Sequence, residues 1–328
     1  MDQAISTRIA DLQPRRREGK RLSIVVPMHD EAPVLGAFFE RIEAATKDLG
    51  VSIEIICVDD GSRDETLSGL VQKAGRDPRV KVIALARNFG KEAALTAGME
   101  AATGDMVVPI DADLQDPPEL IAEFVKRWEE GYDVVYGARS DRSSDTAMKR
   151  TTAQLFYRIF NRVSDLDIPE SAGDFRLMDR DVVEALKRLP ERNRFMKGLF
   201  AWVGFRQIGV PYVRPERAAG TSTMGYLRLW RFAIDGITSF STAPLRVWSV
   251  IGLIAAFVAV IAAVALIVRV LMVGREVPGY ASLMVAVLFS FAIQMIAFGV
   301  LGEYVGRLYQ EVKGRPIYVI RARIGFDP

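Results

Sequence analysis

Met106-Val107-Val108-Pro109-Ile110-Asp111-Ala112-Asp113-Leu114-Gln115 is the stretch on which the reading of this chain turns. Five apolar residues run directly into a group of oxygen-bearing side chains, as where a buried strand ends at a ligand. If the backbone stays extended past Ile110, alternation puts Asp111, Asp113 and Gln115 on one side and turns Ala112 and Leu114 into the fold. Oxygen donors at that spacing suit a hard divalent cation, Mg²⁺ or Mn²⁺. A cation there would neutralise a diphosphate leaving group as its charge develops. The acidic tripeptide by itself fits a solvated strand end equally well. Asp116, ahead of Pro117-Pro118-Glu119, is assigned to capping the next helix, with proline at the first helical position.

Working outward, the same rhythm recurs. Apolar, β-branched stretches at Leu22–Val26, Ile53–Val58, Val80–Leu85 and Asp133–Tyr136 flank helical patterns such as Val34–Leu49 and Glu119–Glu129. Short buried-looking strands alternating with helices predict an α/β fold built on a mostly parallel sheet. Ligands on such sheets bind beyond the carboxyl ends of the strands, and that is where the polar motifs fall. Asp59-Asp60-Gly61-Ser62 follows the second strand and Pro27-Met28-His29-Asp30-Glu31 ends the first. Ser62-Arg63-Asp64-Glu65 has capping-box spacing, so Ser62 is expected to cap a helix. His29 is the one histidine, which argues against a histidine metal site or a Ser-His-Asp hydrolase and leaves His29 as a loop contact. Cys57 is the one cysteine; set in a strand, it reads as a small buried hydrophobe.

The apolar residues are unevenly spread. Val247–Val268 and Val277–Gly302 carry no charge. At ~1.5 Å per residue the first would extend about 33 Å, enough to cross a hydrocarbon core of ~30 Å. Neither shows the polar stripe of a soluble helix. The short linker Arg269–Glu276 makes the pair a hairpin, with membrane helices at about 247–270 and 279–303. Arg228, Arg231 and Arg246 precede it, and Arg307, Lys313, Arg315, Arg321 and Arg323 follow, which puts both outer ends in the cytoplasm. The start of the chain, with Asp2, Arg8, Asp11 and Arg15–Arg17, shows no secretory signal and reads as a polar arm over 1–20. Residues 224–246 mix Leu227, Leu229, Trp230, Ile234 and Phe240 with Arg228, Arg231 and Asp235, an amphipathic segment expected to lie in the bilayer interface. A formal net charge of +2 gives no case for nucleic acid.

Six motifs stand in one order: Ser23-Ile24-Val25-Val26-Pro27 through Glu31, Val58-Asp59-Asp60-Gly61-Ser62, Arg87-Asn88-Phe89-Gly90-Lys91, Asp111 to Glu119, Gly173-Asp174-Phe175-Arg176-Leu177, and Arg214-Pro215-Glu216-Arg217-Ala218-Ala219-Gly220. Together they resemble the family-two glycosyltransferases of GT-A fold. More narrowly they resemble the polyprenyl-phosphate glycosyltransferases, including dolichol-phosphate mannose synthase and the undecaprenyl-phosphate glucosyl and aminoarabinosyl transferases. The resemblance runs from Arg21 to the C-terminus and makes 21–223 the catalytic domain, followed by 224–246, the hairpin 247–304 and a tail 305–328 carrying a strand.

What that resemblance implies is specific. Pro27, His29, Glu31, Val58 and Asp60 would cradle the nucleotide, with Lys91 and Ala112 also at the donor. Asp111, Asp113 and Gln115 would hold Mg²⁺ or Mn²⁺ on the donor diphosphate. Asp174 and Arg176 would lie near the sugar and the acceptor phosphate, and Arg139, Arg217 and Ser222 would contact phosphate. Many members carry lysine after that serine, where this chain has Thr223. The implied reaction is inverting transfer from a nucleotide-sugar, UDP-linked by overall similarity, to a polyprenyl phosphate at the cytoplasmic face of a bacterial inner membrane, serving cell-envelope glycan modification. Similar enzymes form tetramers, and Gly299, Gly302 and Gly306 would let another helix approach, so a homo-oligomer is expected. Arg315–Arg323 alternates enough to pair with a neighbour's sheet edge. Two rivals stand beside this reading. A processive polysaccharide synthase would need a Gln-x-x-Arg-Trp signature and more spans. A non-catalytic membrane-tethered nucleotide-binding protein would not need Asp111, Asp113 and Asp174 intact.

Overall fold

A computed structural model describes residues 19–139, 172–189, 191, 192, 194, 196–212, 242–273 and 279–326. Eight strands form one sheet: β1 (Arg21–Met28), β2 (Ser52–Asp59), β3 (Val80–Leu85), β4 (Met106–Pro109), β5 (Val134–Arg139), β6 (Ala172–Asp179), β7 (Gln207–Tyr212) and β8 (Ile320–Ile324), in the spatial order β7-β5-β6-β4-β1-β2-β3-β8. The centre, β4-β1-β2-β3, is parallel. Antiparallel β6 joins it to the parallel pair β5 and β7. The expected α/β architecture is present, and each apolar run named above lies on a strand.

Two helical layers cover the sheet because its central strands are buried on both faces. Leu22, Ile24 and Val26 of β1 face α1 (Leu35–Thr46), α2 (Thr66–Arg76) and α4 (Ile121–Glu129), where Phe38, Leu70 and Phe124 are fully buried. Val25, Ile56 and Val58 face the other way, towards α3 (Lys91–Ala101), α5 (Arg180–Lys187) and α6 (Met196–Trp202). α3 lies flat on the strands because its sequence supplies Ala93, Ala94, Ala97 and Gly98. A Cβ on Gly98 would come within 2.3 Å of Val25 Cγ1.

The two uncharged runs are α7 (Ala243–Val273) and α8 (Tyr280–Val312). Their spans, Leu245–Arg269 and Ser282–Val312, have mean hydropathies of 3.1 and 2.3 and are not buried against the rest of the protein. Phe257 is 67% exposed and Leu271 80%, so this surface is matched to lipid. Residues 243–246, read as the end of an interfacial segment, already belong to α7; 224–241 lie outside the described residues. α8 continues past the expected end at 303, because an i,i+4 ion pair between Glu303 and Arg307 (2.9 Å) supports helix beyond the apolar run. An added Cβ at Gly299, Gly302 or Gly306 meets nothing within 4 Å, so α7 does not pack there.

Two local expectations are corrected. Ser62 caps no helix: Gly61, at φ +67°, turns the chain so that Ser62 Oγ accepts from Asp30 N (3.0 Å), and α2 begins only at Thr66, whose amide bonds Asp64 Oδ1 (2.9 Å). Asp116 caps none either; it is buried and accepts from the Tyr212 hydroxyl (2.7 Å), while a 3₁₀ turn over Pro118–Leu120 precedes α4. The C-terminal strand expected over Arg315–Arg323 is present as β8; it pairs with β3 of its own chain, Ala84 opposite Ala322, and becomes the edge of the sheet.

Candidate active site

The carboxyl ends of β1, β2 and β4 meet in one region. β4 stops at Pro109, and the residues after it turn, with Leu114 at φ +58°. The extended geometry expected for Asp111–Gln115 is therefore not kept. Asp113 Oδ1 accepts from the Gln115 amide (3.1 Å), and this turn carries Gln115 inward to 5% exposure. Ala112 is buried and Leu114 packs against the core, as alternation required. Asp111 and Asp113 remain partly accessible.

Lys91, the first residue of α3, closes this group. Its ammonium lies 2.7 and 2.8 Å from the two oxygens of Asp111 and 3.1 Å from Asp174 of β6. Burial would lower the Lys91 ammonium, but Asp111 and Asp174 outweigh it and hold it above its ordinary range, so Lys91 is charged. Burial raises Asp111, with Lys91 opposing. Glu31 is raised as well, by burial and then by the charges of Asp113 and Asp111. Negative charge is thus crowded at the ends of β1 and β4, and one lysine partly balances it.

These groups fit a hard cation in donor chemistry. Asp111 and Asp113 offer carboxylate oxygens, and Gln115 Oε1 is buried with no hydrogen-bond partner. Among the described residues, no three His, Cys, Asp or Glu side chains are arranged to bind a metal on their own.

The nucleotide-side residues divide. His29 Nδ1 donates to the Asp60 carbonyl oxygen (3.0 Å), the loop contact expected of it. Pro27 lies opposite Val58 in the β1–β2 register. Val58 is fully buried beneath α3, so its side chain cannot line a nucleotide site. Asp60 is also buried, and its oxygens accept from Phe89 N (2.7 Å) and Gly90 N (2.8 Å). It shapes the loop that delivers Lys91. Asp59, which the sequence offers only as part of its motif, carries a buried oxygen without a partner, and burial raises its carboxyl against two bonds from Ser62. No sequence signal separates it from Asp60, because their difference is which side of the strand end each faces.

Arg176 is not at the surface. It is 3% exposed, stacks 3.7 Å from the centroid of Phe200, donates to Gly173 O (2.6 Å), and leaves Nε without a partner. Burial lowers its guanidinium to about 10, against the pull of Asp174. In this arrangement it braces the strand that bears Asp174 from within the fold. The backbone of Arg139 pairs with Tyr212 at the end of β5. Arg217 and Ser222 lie outside the described residues.

Comparison with known proteins gives the family. Residues 23–187 match the model of glycosyl transferase family 2, and residues 243–308 match that of the GtrB C-terminal hairpin. An uncharacterized glycosyltransferase of Synechocystis sp. is 51% identical over 93% of this chain and 96% of its own length. A prophage bactoprenol glucosyl transferase homolog of Escherichia coli is 48% identical, covering 92% of this chain and 98% of that one. The bactoprenol glucosyl transferase of Shigella phage SfII is 47% identical over 92% and 97%. With a family-2 catalytic sheet and a GtrB-type hairpin in one chain, this protein belongs to the family 2 glycosyl transferases.

Proposed function

We propose that the protein moves a sugar, with inversion, from a UDP-linked donor to a polyprenyl phosphate at the cytoplasmic membrane face. The observation that carries this reading is the convergence of Asp111 and Asp174 on Lys91, at the carboxyl edge of a sheet tied to two membrane-length helices. Bactoprenol glucosyl transferases among the relatives favour glucose as the sugar and a bactoprenol-type phosphate as the acceptor.

The chemistry follows from the charges. An acceptor phosphate is already anionic at neutral pH, so its attack on the anomeric carbon needs no strong base. The new bond is carbon to phosphate oxygen. The bond that breaks is carbon to diphosphate oxygen, and the nucleoside diphosphate leaves with the electron pair. Mg²⁺ or Mn²⁺, held by Asp111 and Asp113 with Gln115, would supply charge neutralisation on that leaving group. In this reading Lys91 exchanges its ion pairs with the two aspartates for one with the donor phosphate once the donor is bound. Asp174 orients the acceptor, and Arg217, with Ser222 and Arg139, completes a cationic cradle that brings two anions together. We further read Gly299 and Gly302, where an added Cβ meets nothing within 4 Å among the described residues, as facing a second copy, while Gly306 borders a cavity of this chain.

The test is direct. Purified full-length protein with undecaprenyl phosphate and labelled UDP-sugars should form a lipid-linked product with UDP-glucose and Mn²⁺, with the anomeric configuration inverted by NMR. Retention of configuration, or no product across the donor panel, would refute it.

A further inference from the structure

At the foot of α8, a cavity of about 690 Å³ separates the membrane helix from the first turn of α3. Four cations line it: Arg192 and Arg194 from the segment before α6, and Lys313 and Arg315 from the link between α8 and β8. Arg194 is 8% exposed. Its Nη2 donates to Leu189 O (2.9 Å), but its Nε, also buried, has no partner. Lys313 Nζ sits 4.6 Å from the centre of the Tyr309 ring, which also lines the space. The nearby acids are Glu92 on the wall, Glu311, which accepts from the backbone amide of Arg192 (3.0 Å), and Glu191, which Arg194 attracts and Glu311 repels, so the four cations exceed them by one. Basic groups converging on a volume of this size, with an orphaned buried guanidinium N–H, describe a site built for an anion.

Its position says which anion. Leu308, Tyr309 and Val312 on the same turns of α8 are 62%, 61% and 83% exposed, so the lipid-facing surface of the span runs down to the cavity. A tyrosine with basic residues at the end of a span marks the headgroup level of a bilayer. Basic pockets beside membrane helices bind anionic headgroups there. None of Lys91, Asp111 or Asp174 lines the cavity, so its ligand is not in contact with the groups that would act on donor or acceptor.

We propose that this cavity binds the phosphate headgroup of an anionic glycerophospholipid of the surrounding bilayer and so seats the catalytic domain on the membrane. The proposal rests on the spans being embedded in lipid and not on the sugar-transfer reading. Its test therefore reads lipid binding and not turnover. Full-length protein in mild detergent is titrated with phosphatidylglycerol, phosphatidylcholine, undecaprenyl phosphate and inorganic phosphate, and bound ligand is counted by native mass spectrometry. The expected result is one phosphatidylglycerol per chain, held at least tenfold more tightly than phosphatidylcholine. Lys313→Gln with Arg315→Gln should remove that preference. Both residues are exposed, so the pair avoids the folding risk of changing buried Arg194. Arg321→Gln with Arg323→Gln, which removes equal charge from β8 outside the cavity, should keep it. The proposal falls if the wild type shows no preference for phosphatidylglycerol, or if the Lys313/Arg315 pair retains it. It falls equally if undecaprenyl phosphate or inorganic phosphate binds there and phosphatidylglycerol does not.

Discussion

Lys91 holds both oxygens of Asp111, at 2.7 and 2.8 Å, and thereby occupies an aspartate that a divalent cation would need. A lysine and a cation that share a ligand compete for it. Lys91→Met is therefore expected to tighten Mn²⁺ binding in the absence of donor about fivefold, the size of a partly exposed ion pair of ~1 kcal/mol. Turnover should fall in the same variant. Titration followed by Mn²⁺ paramagnetic resonance measures the affinity, and unchanged or weaker binding would show that Asp111 is not a metal ligand.

The loop that carries Lys91 has its own support. Asp60 accepts two successive amides, from Phe89 and Gly90, and a Cβ on Gly61 would come within 2.5 Å of the Arg87 carbonyl carbon. Asp60→Asn replaces one acceptor oxygen with a donor and should cost about 1–3 kcal/mol. Gly61→Ala should cost more, because the obstruction is backbone and the site is at φ +67°. Hydrogen exchange across residues 87–91 should accelerate in both variants. Protection equal to wild type would mean that the loop is held by something else.

Acid should unfold the catalytic domain through Glu54. Its carboxylate is buried and accepts from Ser23 Oγ (2.5 Å), Thr103 N (2.7 Å) and Lys81 Nζ (2.8 Å). Burial alone would raise it; the bonds from Lys81, Ser23 and Thr103 win and bring it down to about 2. A depressed folded value stabilises fully above the unfolded value of ~4.3. That contribution is lost as pH falls from there towards 2. Glu54→Gln leaves Lys81 without its partner and should cost about 3 kcal/mol near neutral pH. It should also flatten the fall in melting temperature between about pH 5 and 3. A variant with the wild-type slope would assign the acid sensitivity elsewhere.

Membrane topology can be read without assaying activity. β8 follows α8 through a short link over 313–319 and lies in the catalytic sheet, so the hairpin must return to the side on which that domain sits. Cysteines at Arg246 and Lys313 should react with an impermeant maleimide from one side of sealed vesicles, and a cysteine at Arg269 from the other. Cys57 is fully buried and gives no background. Labelling of Arg269→Cys and Lys313→Cys from the same face would mean that α8 does not span.

Strands, helices and spans are legible because their signals are local. The apolar runs of β1 and β2 and the uncharged lengths of α7 and α8 record their surroundings directly. The errors arise where a side chain has a choice of partner. Ser62 and Asp116 have capping spacing, yet Asp30 N and the Tyr212 hydroxyl, 32 and 96 residues away, claim them. The motif of Asp60 gives no sign that it also holds the amides of Phe89 and Gly90, about thirty residues on. Arg176 sits in a conspicuous motif, but only the packing of α6 shows that Phe200 covers its guanidinium. The motif around Lys91 places it at the donor; its bridge between Asp111 and Asp174 needs β4 and β6 side by side.

The pairing of β8 with β3 also sets an order of assembly. Ala86 N bonds Val319 O (2.8 Å), and Tyr318 bonds Glu100 of α3, so a strand made after both membrane helices completes a sheet whose other seven described strands precede them. During synthesis the β3 edge stays open until both α7 and α8 have emerged. An open edge invites pairing with other chains, and closing it over so long a separation is slow. Insertion of the hairpin shortens the search, since it brings β8 back beside the waiting edge. A chain that stalls before Lys313 would carry a nearly finished catalytic domain with one adhesive border, which makes bilayer insertion a checkpoint for solubility as well as for location.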